Sequence, residues 1–219
     1  MNAPWVIWQV LDSAFPTGGF AHSWGLESAW QCGEVADEGA LERFVRDSVA
    51  QAGRAALPLV NAAWTDTAPH DRLDALCDAF LTNPVANRAS RVQGRALTST
   101  CARTWPTAVL MSIDAEAKRG CGHLAPSFGA TTRALEIPRP VVQQMFLFMT
   151  ARGVLSAAVR LGIVGSYQSQ RLQTSCTAHL DAVLGACAQL GEDDLAQTAP
   201  IIDLLQSAHD RLYSRLFQS

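Results

Sequence analysis

The chain has 219 residues, 48% hydrophobic and 17% charged, which suits one large domain or two small ones. Lys and Arg number 17 against 20 Asp and Glu, and the net charge of −3 excludes a non-specific nucleic-acid footprint. Lys118 is the only lysine, so polar interfaces must rely on the planar, forked donors of arginine.

The first informative element is Leu11-Asp-Ser-Ala-Phe-Pro-Thr-Gly-Gly-Phe-Ala-His-Ser-Trp-Gly-Leu-Glu27. Pro16 fixes one dihedral, and Gly18 with Gly19 permits a sharp bend that presents His22, Ser23 and Glu27. Ser23 is expected to cap a helix carrying Gly25 to Gln31, with Glu27 near its positive end. Catalysis by this trio is disfavoured, because adjacent residues on a helix point about 100° apart and no nucleophile elbow is present.

Helical spacing follows. Leu41, Phe44, Val45, Ser48, Val49 and Ala52 form one apolar stripe, and Leu73, Leu76, Cys77, Phe80 and Leu81 another. Asn83-Pro84 reads as an N-cap with proline in the first turn. The helix it opens carries Arg88, Arg91 and Arg95 on one face, with Ser90 and Gln93. That row is either solvated or set in a groove or protein interface. Trp105-Pro106 marks a break. Residues 119–137 are rich in Gly, Pro and Ser and could link two halves, but the flanking helices are too apolar to stand alone in water.

Within that stretch, Cys121-Gly-His123 places a thiol and an imidazole two residues apart, a pairing that could share a soft metal. Cys176 and His179, at i and i+3, are a second weak pair. Neither completes the four ligands of a closed structural site. Pro138-Arg-Pro140 precedes Val141 to Val164, whose apolar run is interrupted by Gln143, Gln144, Arg152, Gly153 and Arg160. This favours a buried core helix over a membrane span. Leu180, Val183, Leu184 and Cys187 form a further stripe. Gly191-Glu-Asp-Asp194 reads as a helix end, and Pro200 as a first-turn proline. The final stripe is predicted to run through Ile201, Leu204, Leu205, Ala208, Leu212 and Leu216.

No run alternates with period two. The expected fold is all-α, a single domain over residues 1–219 with roughly eight to eleven helices. The six cysteines lack Cys-x-x-Cys pairing, and no signal peptide is visible. Reduced, buried thiols in a cytoplasmic protein are expected. No phosphate-cradling loop and no His-Glu-x-x-His occur. Carboxylates fall mostly on faces assigned to solvent, so no catalytic set emerges and no cofactor or resident metal is expected.

Taken together, several segments resemble the UreF family of urease accessory proteins. They are the bend Leu11 to Glu27, Asn87-Arg-Ala-Ser-Arg-Val-Gln-Gly-Arg-Ala-Leu97, Gly122-His-Leu-Ala-Pro-Ser-Phe-Gly-Ala130, Arg152 to Gly165, Gln170-Arg-Leu-Gln173 and Tyr213-Ser-Arg-Leu-Phe-Gln-Ser219. They occur in the family's order and span nearly the whole chain. Trp24 departs from the pattern, in which a small or polar residue often precedes Gly-Leu-Glu.

The resemblance implies an all-α two-fold homodimer and a chaperone-like, non-enzymatic role. It implies bridging of UreD (UreH in some organisms) to the GTPase UreG, so that nickel is loaded into apo-urease. The tail Tyr213, Ser214, Arg215, Leu216 and Phe217 is implied to become ordered on UreD binding, with Arg215 holding it to carbonyls of the amino-terminal bend. Phe20, His22 and Ser23 are implied to lie beside the tail and, with Glu27, complete the partner-binding set. The alternative is a nickel-binding metallochaperone using Cys121, His123, Cys176 or His179.

Overall fold

A computed structural model describes residues 3–219. Among these residues there are twelve α-helices and no strand. They are α1 (Ala3–Leu11), α2 (Leu26–Gln31), α3 (Glu38–Ala55), α4 (Leu57–Thr65), α5 (His70–Phe80), α6 (Pro84–Thr104), α7 (Ala108–Arg119), α8 (Leu124–Ala134), α9 (Arg139–Arg160), α10 (Ser166–Ser175), α11 (Thr177–Cys187) and α12 (Pro200–Ala208). Short 3-10 turns occupy Gly19–Ala21, Glu192–Asp194 and His209–Arg211. The count exceeds the expected range because two helical runs are broken. One break is at Ala56, where Pro58 in the first turn of α4 cannot continue α3. The other is at Cys176, between α10 and α11.

The predicted boundaries have visible causes. Asn83 Oδ1 accepts the N–H groups of Val85 and Ala86 at 3.0 and 3.3 Å, capping α6. Pro140 and Pro200 sit in the first turns of α9 and α12. In α3, Leu41, Phe44, Val45, Ser48 and Val49 are buried as their spacing requires.

Helix α9 is the centre of the molecule. It is long and apolar enough to cross a bilayer, but its apolar side chains are spent on the core, with Val142, Met145, Leu147, Val154 and Leu155 buried. It packs against α3, α4, α10 and α11, and one continuous core includes side chains from α1 through α11.

Residues 119–137 are not a linker between halves. They contain α8, which packs closely on α4 and α6. Two glycines permit this approach. A Cβ on Gly94 of α6 would lie 2.2 Å from the Gly122 carbonyl oxygen, and one on Gly129 of α8 would lie 2.3 Å from that of Val60.

The last predicted stripe is corrected. The α-helix ends at Ala208, a 3-10 turn follows, and Leu212 onward is irregular. Ile201, Leu204 and Leu216 are exposed, whereas Ile202 and Leu205 pack against the core.

Candidate functional site

The amino-terminal bend and the final residues meet, although about 190 positions separate them. Ser23 donates both its N–H (2.6 Å) and its hydroxyl (3.0 Å) to the Ser219 carbonyl. Gln218 N–H donates to the Ala21 carbonyl at 2.9 Å, and His22 Nδ1 lies 2.5 Å from Ser219 Oγ. Ser23 therefore does not cap α2. Its hydroxyl is committed to the tail, and Gly25 occupies the cap position without a side-chain bond.

Glu27 stands in the first turn of α2, as predicted, but it is buried rather than solvated. Its two oxygens accept the N–H groups of Leu216 (2.6 Å) and Phe217 (3.1 Å), and His209 Nε2 lies 3.0 Å from Oε2. A buried carboxylate requires such partners, because leaving it bare costs several kcal/mol in an apolar surrounding. Gln31, one turn further on, donates to the Ser214 carbonyl at 3.0 Å. The short helix α2 thus reads the tail backbone from Ser214 to Phe217.

Arg160, at the end of α9, is the clamp. Its guanidinium carbon sits 4.0 Å from the Phe20 ring centroid and 4.2 Å from that of Phe217, and it donates to the Phe20 carbonyl. The role expected of Arg215, binding carbonyls of the bend, is taken by Arg160. Arg215 instead lies 3.4 Å from Asp210, whose carboxylate also takes Arg88 at 2.9 Å. Phe217 is buried, whereas Phe20 (63% exposed), Tyr213 (fully exposed) and Leu216 (54%) face outward. A cleft of about 210 Å³ opens between the bend and α9, bounded by Gly18, Phe20, Gln93, Arg152, Arg160 and Phe217.

Trp24 adopts a left-handed backbone at φ 59°, uncommon for a bulky residue. Its indole lies over Gly153 of α9, where a Cβ would come within 2.8 Å of Nε1. The bare helix surface at Gly153 accommodates the ring. His22 is buried, and its Nε2 has no hydrogen-bond partner. Burial, then the charges of Arg88 and His209, lower its pKa from 6.5 to about 4.

His22, Ser23 and Glu27 do not converge on one another. Each is spent on the tail or on His209. The arginine row of α6 also divides. Arg88 reaches Asp210, and Arg95 donates to the Gly120 carbonyl at 2.9 Å. Of the two metal-ligand pairs, Cys176 and His179 gain no third ligand among the described residues, and His179 Nε2 faces the Arg46 carbonyl at 3.0 Å. Cys121 and His123 do gain one, Asp78. Burial lowers the pKa of His123 and raises that of the Cys121 thiol. No cysteine is in a disulfide; four are buried, Cys121 is half-buried and Cys32 is exposed.

Sequence reasoning missed Gln31, Asp74, Asp78, Arg160 and His209. Asp74 and Asp78 carry no sequence signal that separates them from the solvated carboxylates of an amphipathic helix, and the others none that separates them from ordinary helical residues.

The UreF family model matches residues 35–177. The chain belongs to the UreF family. Urease accessory protein F of Arabidopsis thaliana is 36% identical over 98% of this chain and 92% of its own length. Its counterpart in Oryza sativa subsp. indica is 35% identical over 97% of this chain and 84% of its own. Urease accessory protein UreF of Paenarthrobacter aurescens is 29% identical, covering 96% of both. The site described above lies on a member of this family, and its bend and tail fall outside the residues that the family model matches.

Proposed function

We propose that this chain is a urease-maturation scaffold of the cytoplasm. It works as a homodimer, joins UreD (UreH) to the GTPase UreG, and thereby promotes nickel loading of apo-urease. It is not an enzyme and holds no cofactor for this role. The observation that carries the reading is the union of bend and tail. Glu27, Ser23 and Arg160 seat the final residues so that Phe20, Tyr213 and Leu216 project outward together. Exposed aromatic and aliphatic side chains on a hydrogen-bonded base suit a docking surface, since their burial by a partner supplies most of the binding free energy. The partner-facing set is Phe20, Tyr213, Ser214, Arg215 and Leu216. His22, Ser23, Glu27 and Phe217 hold it in place from beneath.

Co-purification with UreD and UreG, with and without residues from Leu212 onward, tests this. The full chain is expected to recover both partners, and the shortened chain to lose UreG. Equal recovery of UreG by the two forms would overturn the tail's role.

A further inference from the structure

A second cluster, remote in role from the bend and tail, sits where α5 meets the connection between α7 and α8. Asp78, Cys121 and His123 bring a carboxylate oxygen, a sulfur and an imidazole nitrogen within 4.8 Å of one another. No other trio of this kind occurs among the described residues. In a tetrahedral site with metal–sulfur bonds of ~2.3 Å and metal–nitrogen or metal–oxygen bonds of ~2.0 Å, ligand atoms stand roughly 3.3–3.6 Å apart. His123 Nε2 and Asp78 Oδ1 are already 3.1 Å apart. Only a small closing movement of the half-buried Cys121 side chain is needed.

The three ligands are held from behind. The Asp74 carboxylate accepts the consecutive N–H groups of Cys121, Gly122 and His123 at 2.7, 2.9 and 2.8 Å, which pins the loop carrying two of the ligands. Asn87 holds Asp78 at 2.9 Å. Ser90 Oγ lies 3.1 Å from His123 Nδ1, which fixes the ring so that Nε2 faces Asp78. Outer partners that orient an imidazole and a carboxylate in this way are the usual support of a metal site. His123 is fully buried, whereas the Asp78 side chain is 42% exposed, so solvent reaches the cluster from one side.

We propose that Asp78, Cys121 and His123 bind one divalent transition-metal ion of borderline softness, of the zinc, cobalt or nickel class, with the fourth position open to water. Thiolate, imidazole and carboxylate together select such ions over magnesium or calcium. Binding releases the Cys121 thiol proton to solvent. His123 gives up the Nε2 proton it directs at Asp78, takes one up on Nδ1, where Ser90 Oγ accepts it, and coordinates through Nε2 as the neutral imidazole. The site shares no residue with the bend-and-tail surface, so it stands or falls independently of the scaffold reading.

The test is titration of the purified full chain with cobalt chloride, followed by competition with zinc chloride and then nickel chloride. The expected result is about one equivalent bound at micromolar metal, with a thiolate-to-cobalt charge-transfer band in the near ultraviolet. Cys121→Ser is expected to abolish that band, and Asp78→Asn to weaken binding by ~10-fold or more. Cys32→Ser removes an exposed thiol elsewhere and should change nothing. Far-ultraviolet circular dichroism establishes that each variant is folded. His123→Gln alters a buried residue and is therefore left out of the decisive set. Absence of binding at about 100-fold excess metal overturns the proposal, as does a charge-transfer band that survives Cys121→Ser or disappears with Cys32→Ser.

Discussion

Glu27 accepts the backbone N–H of Leu216 at 2.6 Å, although 189 positions separate the two residues. The same carboxylate accepts Phe217 N–H and meets His209. Glu27→Gln keeps the shape but turns an NH₂ group toward at least one backbone donor. The expected cost is about 1–3 kcal/mol. The tail should become sensitive to protease while the rest of the chain stays resistant. Urea unfolding with limited proteolysis reads both effects, and unchanged protection of residues 212–219 would refute the latch.

Arg160 and Arg215 are expected to separate stability from recruitment. Arg160→Ala removes two ring contacts and a carbonyl bond beneath the surface, at a cost of about 1–2 kcal/mol. Faster amide exchange at Phe217 and Gln218 should accompany it. Arg215→Ala removes only an exposed contact to Asp210, which Arg88 already neutralises, so stability should change by less than about 0.5 kcal/mol. Its effect should fall on UreG recruitment and on urease activation in cells lacking the wild-type chain. Normal activation there would remove Arg215 from the docking surface.

His22 makes stability depend on pH. Its pKa is 6.5 in the unfolded chain and about 4 in the folded one, so the unfolded state binds more protons between these values. Stability should therefore fall as pH drops from 6.5 toward 4. His22→Asn should flatten this slope, even if it lowers stability at neutral pH. The measurement is Tm across that window for both forms. Parallel curves would show that His22 is not the responsible group.

Gly94→Ala tests the seating of α8. The added Cβ would meet backbone oxygen and carbon at 2.2 and 2.6 Å, atoms that cannot move aside as a flexible side chain would. A loss of about 3 kcal/mol or more is expected, seen as a lower urea midpoint or insoluble expression. Gly191→Ala, with open space around it, should be close to neutral.

Several features were legible in the order of residues. The α3 stripe, the Asn83 cap and the first-turn prolines at 140 and 200 follow from spacing and local chemistry, because each depends on neighbours within about four positions. The same logic failed after Ala208. Leu212 and Leu216 continue the helical period, but Glu27 and Gln31 capture the backbone there and draw it away from a helix. Asp74 carries no signal that separates it from a solvated residue of an amphipathic helix, yet it is the buried anchor of the loop from Cys121 to His123.

The sequence by itself determined an all-α chain with a central apolar helix and a bend worth presenting, and it placed the chain in its family. Those properties are local, or are carried by motifs whose order survives without coordinates. Only the tertiary structure decided which arginine holds the tail, that the Glu27 carboxylate takes the backbone N–H groups of Leu216 and Phe217, and that Asp78 joins Cys121 and His123. Each of these is a meeting of side chains on different helices. No periodicity encodes such a meeting, because it depends on how α2, α5, α8 and α9 pack around the shared core.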